Sequence, residues 1–190
     1  MQKFENLKEK QVSSEEIFDG YILHLFKDMI ELPNGKSATR EVIRHVGAVA
    51  VVPITDDGKV IVERQFRYPL DSVITEVPAG KLDSKEEDRL SAAKRELEEE
   101  TGITAVEWIN LGDYHPAAAY CDELITIYLA RGLTYGERHL DEDEFLNIEE
   151  VPLVELVRDV MDGKITDGKT QVAILKAHYY LEMEKEKCGR

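Results

Sequence analysis

The sequence predicts an α/β fold: a mixed sheet covered by helices on both faces, preceded by a small antiparallel β piece. Three observations predict it. Apolar residues alternate over short stretches punctuated by Asn-Gly, Asp-Asp-Gly and Pro-Ala-Gly turns. Three longer stretches read as helices, ending at Gly102, near residue 162 and near residue 187. Strands and helices do not alternate regularly, which argues for a mixed sheet rather than a series of βαβ units.

Taken in order, residues 1–14 are polar and read as a loose start. Residues 17–44 are strand-like around Leu32-Pro33-Asn34-Gly35, where Asn-Gly supplies the positive φ angles of a tight hairpin. This front piece is too small to bury itself and must lean on the rest of the chain or on a second subunit. A second hairpin joins 46–53 to 59–66 through Asp56-Asp57-Gly58. Residues 72–77 form a further strand, which Pro78-Ala79-Gly80 stops. A helix follows with Asp83 or Ser84 as N-cap and Leu90, Ala93 and Leu97 as its buried stripe. Gly102 ends it. Strands are expected over 106–114, 124–130 and 146–151, with a long acidic loop over 132–144. Helices over 154–162 and 170–187 close the chain.

The chain has 190 residues, 43% of them hydrophobic, enough for one globular domain with a small appendage. Its 24 Lys+Arg against 39 Asp+Glu leave a net charge of −15, which argues against nucleic acid or an anionic membrane as partner. Two cysteines, Cys121 and Cys188, are too few for a disulfide scaffold and read as free thiols. The most apolar stretch, residues 46–55, is half a membrane span and reads as a buried strand. A cytoplasmic protein is the expectation.

The chemistry concentrates at the end of the first helix, in Arg95-Glu96-Leu97-Glu98-Glu99-Glu100-Thr101-Gly102. Glu96, Glu99 and Glu100 stand at i, i+3 and i+4 and share a face, whereas Leu97 belongs to the buried stripe. Two carboxylates about 5 Å apart at an effective dielectric of about 20 repel by roughly 3 kcal/mol. The negative pole of the helix adds to that cost. A bound divalent cation reverses the sign, and hard oxygen donors of this kind suit Mg²⁺, with Mn²⁺ as an alternative. A solvent-facing acidic helix is the competing reading of a run of Glu. The glycines at 80 and 102 favour the metal reading.

With these residues the segment resembles the Nudix box of the Nudix hydrolases, which cleave nucleoside diphosphates linked to another moiety. Gly80, Arg95-Glu96, Leu97, Glu99-Glu100 and Gly102 stand in the family's register. The loop between Gly80 and the first box Glu is one residue longer than the family pattern, so Glu86 or Glu87 fills that position. Outside the box, Thr75-Glu76-Val77-Pro78-Ala79-Gly80, Glu63-Arg64-Gln65-Phe66-Arg67 and Arg40-Glu41-Val42 are similar to the ADP-ribose pyrophosphatase branch. The resemblance covers about residues 16–178. It implies a Nudix-type α/β/α sandwich over 45–190 and an N-terminal antiparallel β subdomain over 1–44, exchanged between the subunits of a homodimer.

Carried onto this sequence, the resemblance implies that the Ala79 carbonyl, Glu96 and Glu100 ligate the metal, with Glu99 bridging or assisting. Arg95 holds a Glu of the cluster in place. Arg67 reaches a phosphate, Arg40 and Glu41 lie near the nucleotide, and Phe18 or Tyr21 stacks on the adenine. Glu123 contacts the terminal ribose, in a loop where the run 117–119 is all alanine. The general base is expected on the loop 140–145, with Glu144 first and Glu142 second. The implied reaction is Mg²⁺-dependent hydrolysis of ADP-ribose to AMP and ribose 5-phosphate. Another nucleoside diphosphate sugar such as GDP-mannose is the alternative substrate. A silent ADP-ribose sensor is a third reading, and the presence of all three box glutamates argues against it.

Overall fold

The computed structural model describes residues 4–140 and 145–188. Two compact units emerge: the described part of Met1–Val46 together with His115–Glu123, and the described part of Gly47–Tyr114 together with Leu124–Arg190.

The first unit is an antiparallel sheet of β1 (Lys10–Asp19), β2 (His24–Glu31) and β3 (Ser37–Ile43), in that order. Gly35 turns the chain between β2 and β3 at φ +79°, and its N–H donates to the Leu32 carbonyl at 2.8 Å. Residues 10–14, expected to be a loose start, are the first half of β1. Their side chains lack an apolar period because all of β1 is exposed; ladder bonds to β2 hold it instead. The segment 115–123 docks on the end of β3 through backbone. The Ile43 N–H donates to the Tyr120 carbonyl at 2.7 Å, and the Asp122 N–H donates back to the Ile43 carbonyl. The His45 N–H then donates to Asp122 Oδ1 at 2.6 Å.

The second unit holds two sheets. One comprises β7 (Ala79–Lys81), β4 (Ala48–Pro53), β9 (Ile125–Tyr135) and β8 (Ile103–Tyr114), in that order. Only the β4–β9 pairing is parallel, so the sheet is mixed, as the irregular order of elements implied. The other is antiparallel: β10 (Leu146–Pro152), β5 (Lys59–Arg67) and β6 (Ser72–Glu76). Every residue of β4 is buried, the mark of a strand covered on both faces. Ala48, Ala50 and Val52 enter one core with Ile127 and Leu129 of β9, Leu156 of α2 (Leu153–Met161) and Ala173, Ile174 and Ala177 of α3 (Gly168–Cys188). Helix α1 (Arg89–Thr101) packs on β4, β7 and β8 with Ala92, Ala93 and Leu97 buried. Among the described residues, no helix is long and apolar enough to cross a membrane.

Three expectations change. Helix α1 starts later, with Asp88 as N-cap accepting from the Ser91 N–H at 2.8 Å. Asp83 and Ser84 sit in the preceding loop, where the Asp83 N–H is taken by Glu87 Oε2. Strand β6 ends at Glu76, ahead of Pro78-Ala79-Gly80 as expected, but this segment is not simply a stop: it enters the other sheet. Pro78 lacks an N–H, but its carbonyl accepts from Val51, and Ala79–Lys81 then pairs with β4 as a short edge strand. Strand β9 runs on to Tyr135, because its polar end pairs with Ile103–Ala105 at the start of β8, which shortens the acidic loop.

Candidate active site

The site begins where α1 meets β7. Helical periodicity delivers Glu96, Glu99 and Glu100 to one face of the last two turns. Gly102, at φ +70°, stops the helix; its N–H donates to the Glu98 carbonyl at 2.8 Å. Glu100 is buried, and its Oε2 accepts the Ala79 N–H at 3.0 Å. Glu96 lies against Gly80 so closely that a Cβ there would stand 2.1 Å from its carboxyl carbon. Only glycine leaves room for that carboxylate, which accounts for the glycine at this point of the motif.

Arg95 gathers the cluster. Its Nη1 donates to Glu96 Oε1 at 2.8 Å and to Glu99 Oε2 at 3.1 Å. Its Nη2 donates to the Lys81 carbonyl at 3.3 Å and to Glu87 Oε1 at 3.4 Å. Burial lowers the pKa of the guanidinium, but the charge of Glu96 and the bonds to Glu96 and Glu99 outweigh it, so the net shift is upward. Of the two residues that could fill the first Glu position, Glu87 faces Arg95, whereas Glu86 is exposed, its N–H donating to Ser84 Oγ. The longer loop therefore bulges without dislodging the helix.

A second cluster stands on the β5–β6 hairpin. Arg67, at the end of β5, grips Glu76 with Nε to Oε2 at 2.6 Å and Nη2 to Oε1 at 3.1 Å. Lys169 pairs with the same carboxylate and, at 3.2 Å, with Asp167. Burial pulls the Arg67 pKa down. Its bond to Glu76 and the charges of Glu76, Asp167 and Glu100 more than reverse this. The coupling to Glu100 places Arg67 in the electrostatic reach of the carboxylate helix. Glu76 and Lys169 were not picked out as site residues from the chain. Glu76 stands in a motif that assigns it no role by spacing, and 93 residues separate it from Lys169.

The remaining candidates lie in the first unit. Arg40 on β3 is paired with Glu9, Nη2 to Oε1 at 2.5 Å, and its neighbour Glu41 is exposed. Phe18 is exposed at the end of β1, and Tyr21, in the turn to β2, is 94% exposed. Glu123 lies 3.8 Å from His45 Nδ1. Glu142 and Glu144 lie outside the described residues.

All the candidate metal donors are carboxylate or carbonyl oxygens, the chemistry of a hard divalent cation. Among the described residues, no three His, Cys, Asp or Glu side chains close a metal shell by themselves. A small hard cation takes one or two carboxylates and fills its remaining positions with water and phosphate oxygens. The glycine cradle under Glu96 and the Ala79 N–H on Glu100 hold two such carboxylates in place. The residues present fit the group.

Residues 44–171 match the NUDIX domain, and residues 9–43 match the nucleoside diphosphate sugar hydrolase N-terminal domain. The chain is 42% identical over 182 residues to an ADP-ribose pyrophosphatase of Bacillus subtilis (strain 168), covering 95% of this chain and 96% of that one. It is 40% identical to a methanol dehydrogenase activator of Bacillus methanolicus, over 94% and 95% of the two chains. A crystal structure of an ADP compounds hydrolase superposes with a TM-score of 0.82 over 93% of this chain and 96% of that one. At 24% identity, that likeness is one of fold.

Proposed function

Because this chain belongs to the NUDIX family, we propose that it hydrolyses the diphosphate of ADP-ribose, releasing AMP and ribose 5-phosphate. The observation that carries the chemistry is the seating of Glu96 and Glu100 against the backbone of Ala79 and Gly80, with Arg95 holding Glu96 and Glu99. The near full-length similarity to an ADP-ribose pyrophosphatase supports the substrate.

Glu96, Glu99, Glu100 and the Ala79 carbonyl are the residues that would hold divalent cations, Mg²⁺ by preference and Mn²⁺ as a substitute. When bound, such a cation neutralises diphosphate charge and lowers the pKa of water. The chain's own residues do the rest. Arg95 holds the carboxylates on one side of the helix. The Ala79 N–H donates to Glu100 and holds that carboxylate against β7. Arg67 donates to a phosphate oxygen, for which a guanidinium fork is well shaped. Glu144, or Glu142 in its place, takes the proton of the attacking water. One P–O bond forms to that water, and the bridging P–O bond breaks.

In the first unit, Arg40 and Glu41 hold the nucleotide, Phe18 or Tyr21 stacks on the adenine, and Glu123 accepts from the terminal ribose hydroxyls. The unit acts within a homodimer that exchanges its N-terminal strands. The exposed apolar side chains of β1 and of the turn after it, Val12, Ile17, Phe18, Ile22 and Leu23, support this reading, since a monomer would leave them in water.

The test is chromatography of products after incubation with ADP-ribose and Mg²⁺, with and without chelator. Equal amounts of AMP and ribose 5-phosphate, lost on chelation, are expected. Faster turnover of GDP-mannose on the same panel would reassign the substrate.

A further inference from the structure

Glu76 is a carboxylate that the hydrolytic chemistry leaves without a task. Its side chain is 4% exposed, and two cations converge on it: Arg67, 42% exposed, and Lys169, 16% exposed. A buried ion pair of this kind is poor value as a stabiliser, because desolvation opposes the attraction and an apolar replacement often serves as well. What the arrangement does supply is direction. Glu76 takes Nε–H and one Nη2 hydrogen of Arg67, so the guanidinium plane is set. Nη1 and the outer Nη2 hydrogen are not taken by Glu76, and Nη1 donates to none of the described residues.

Glu76 is itself anchored from the far end of the sequence. Lys169 bonds both Glu76 and Asp167, while Asp167 Oδ2 accepts from the Thr170 N–H at 2.9 Å and from the Thr170 hydroxyl at 2.7 Å. That hydroxyl in turn accepts the Val77 N–H at 3.0 Å. The first turn of α3 thus holds two consecutive residues, one by side chain and one by backbone. Lys169 also places a second positive charge beside Glu76, in addition to that of Arg67.

We propose that Glu76 is a positioning residue for the diphosphate site, holding the Arg67 guanidinium with its outer donors turned to the substrate, and that Lys169 and Asp167 anchor it to the start of α3. The proposal rests on the reading of Arg67 as a phosphate contact in ADP-ribose hydrolysis.

A double-mutant cycle tests it. Glu76→Gln, Arg67→Met and the double variant are assayed for AMP release from ADP-ribose. Their Kd is also measured for an analogue whose bridging oxygen is replaced by methylene. Each single change is expected to lower kcat/KM about 10- to 100-fold, the scale of a lost charge-assisted bond. In the Arg67→Met background, Glu76→Gln is expected to cost less than about threefold more, because Glu76 acts through Arg67. Glu76→Asp covers the case in which Gln does not fold. It keeps the charge, withdraws the carboxylate by one methylene, and is expected to show the same dependence on Arg67.

Fully additive losses would overturn the proposal, as would a lower Tm with kcat/KM within about twofold of the parent. A parent protein that binds the analogue but releases no AMP would refute the hydrolase reading. The analogue Kd values would then still decide the positioning role through the same cycle.

Discussion

The two units solve the same problem, a sheet in water, in opposite ways. In the second unit β4 is buried along its whole length and shares a core with β9, α2 and α3. In the first unit β1 is exposed along its whole length, and among the described residues only Asp28 and Ile30 are buried. Burial of a large aliphatic side chain contributes about 1.5–3 kcal/mol, so the second unit carries its own stability and the first has little. The difference teaches where rigidity is placed. The carboxylates and Arg95 stand on the unit with the large core, while the proposed nucleotide contacts Arg40, Glu41, Phe18 and Tyr21 stand on the one with little buried surface.

Four substitutions test that contrast. The largest effect is expected from Glu100→Gln, which keeps an acceptor for Ala79 but removes a metal charge. It should lower kcat about 10³-fold, equivalent to about 4 kcal/mol, with the circular dichroism melt unchanged. Near-normal turnover at saturating Mg²⁺ would refute the metal assignment. Leu97→Ala, in the core beneath the same helix, should destabilise by about 2–5 kcal/mol in urea titration. A loss below about 1 kcal/mol would mean that the second unit does not rest on this core.

Gly80→Ala puts a Cβ where the Glu96 carboxylate now lies, so Glu96 must move. Mg²⁺ affinity by calorimetry should weaken about 10- to 100-fold, with a smaller change in fold stability than for Leu97→Ala. Ile17→Ser, on exposed β1, should change the unfolding free energy from urea titration by less than about 0.5 kcal/mol at low protein concentration. Its effect should appear in sedimentation, as a shift from dimer to monomer. An unchanged sedimentation profile would count against the exchange of N-terminal strands.

Much of this architecture was readable before any coordinates. The turn at Gly35, the buried strand at 48–53, the acidic face of α1 and its stop at Gly102 all follow from spacing and from glycine's freedom at positive φ. Two departures have separate physical reasons. Residues 10–14 carry no apolar period because a strand held by its neighbour's backbone needs none. The start of α1 was set too early because Asp83 and Ser84 are as good N-caps in composition as Asp88. What separates them is Glu87, which takes the Asp83 N–H while also facing Arg95.

The sequence by itself determined the register of Glu96, Glu99 and Glu100, since a helix's period depends only on neighbours three and four residues away. It equally determined the need for glycine at 102. Only the tertiary structure decided that Glu96 would rest on Gly80, that Arg67 would be gripped by Glu76, and that Lys169 would close on the same carboxylate from the start of α3. Those meetings depend on which strands pair and which helix covers them. That is settled by how apolar surface is buried across the whole unit, and no local spacing records it.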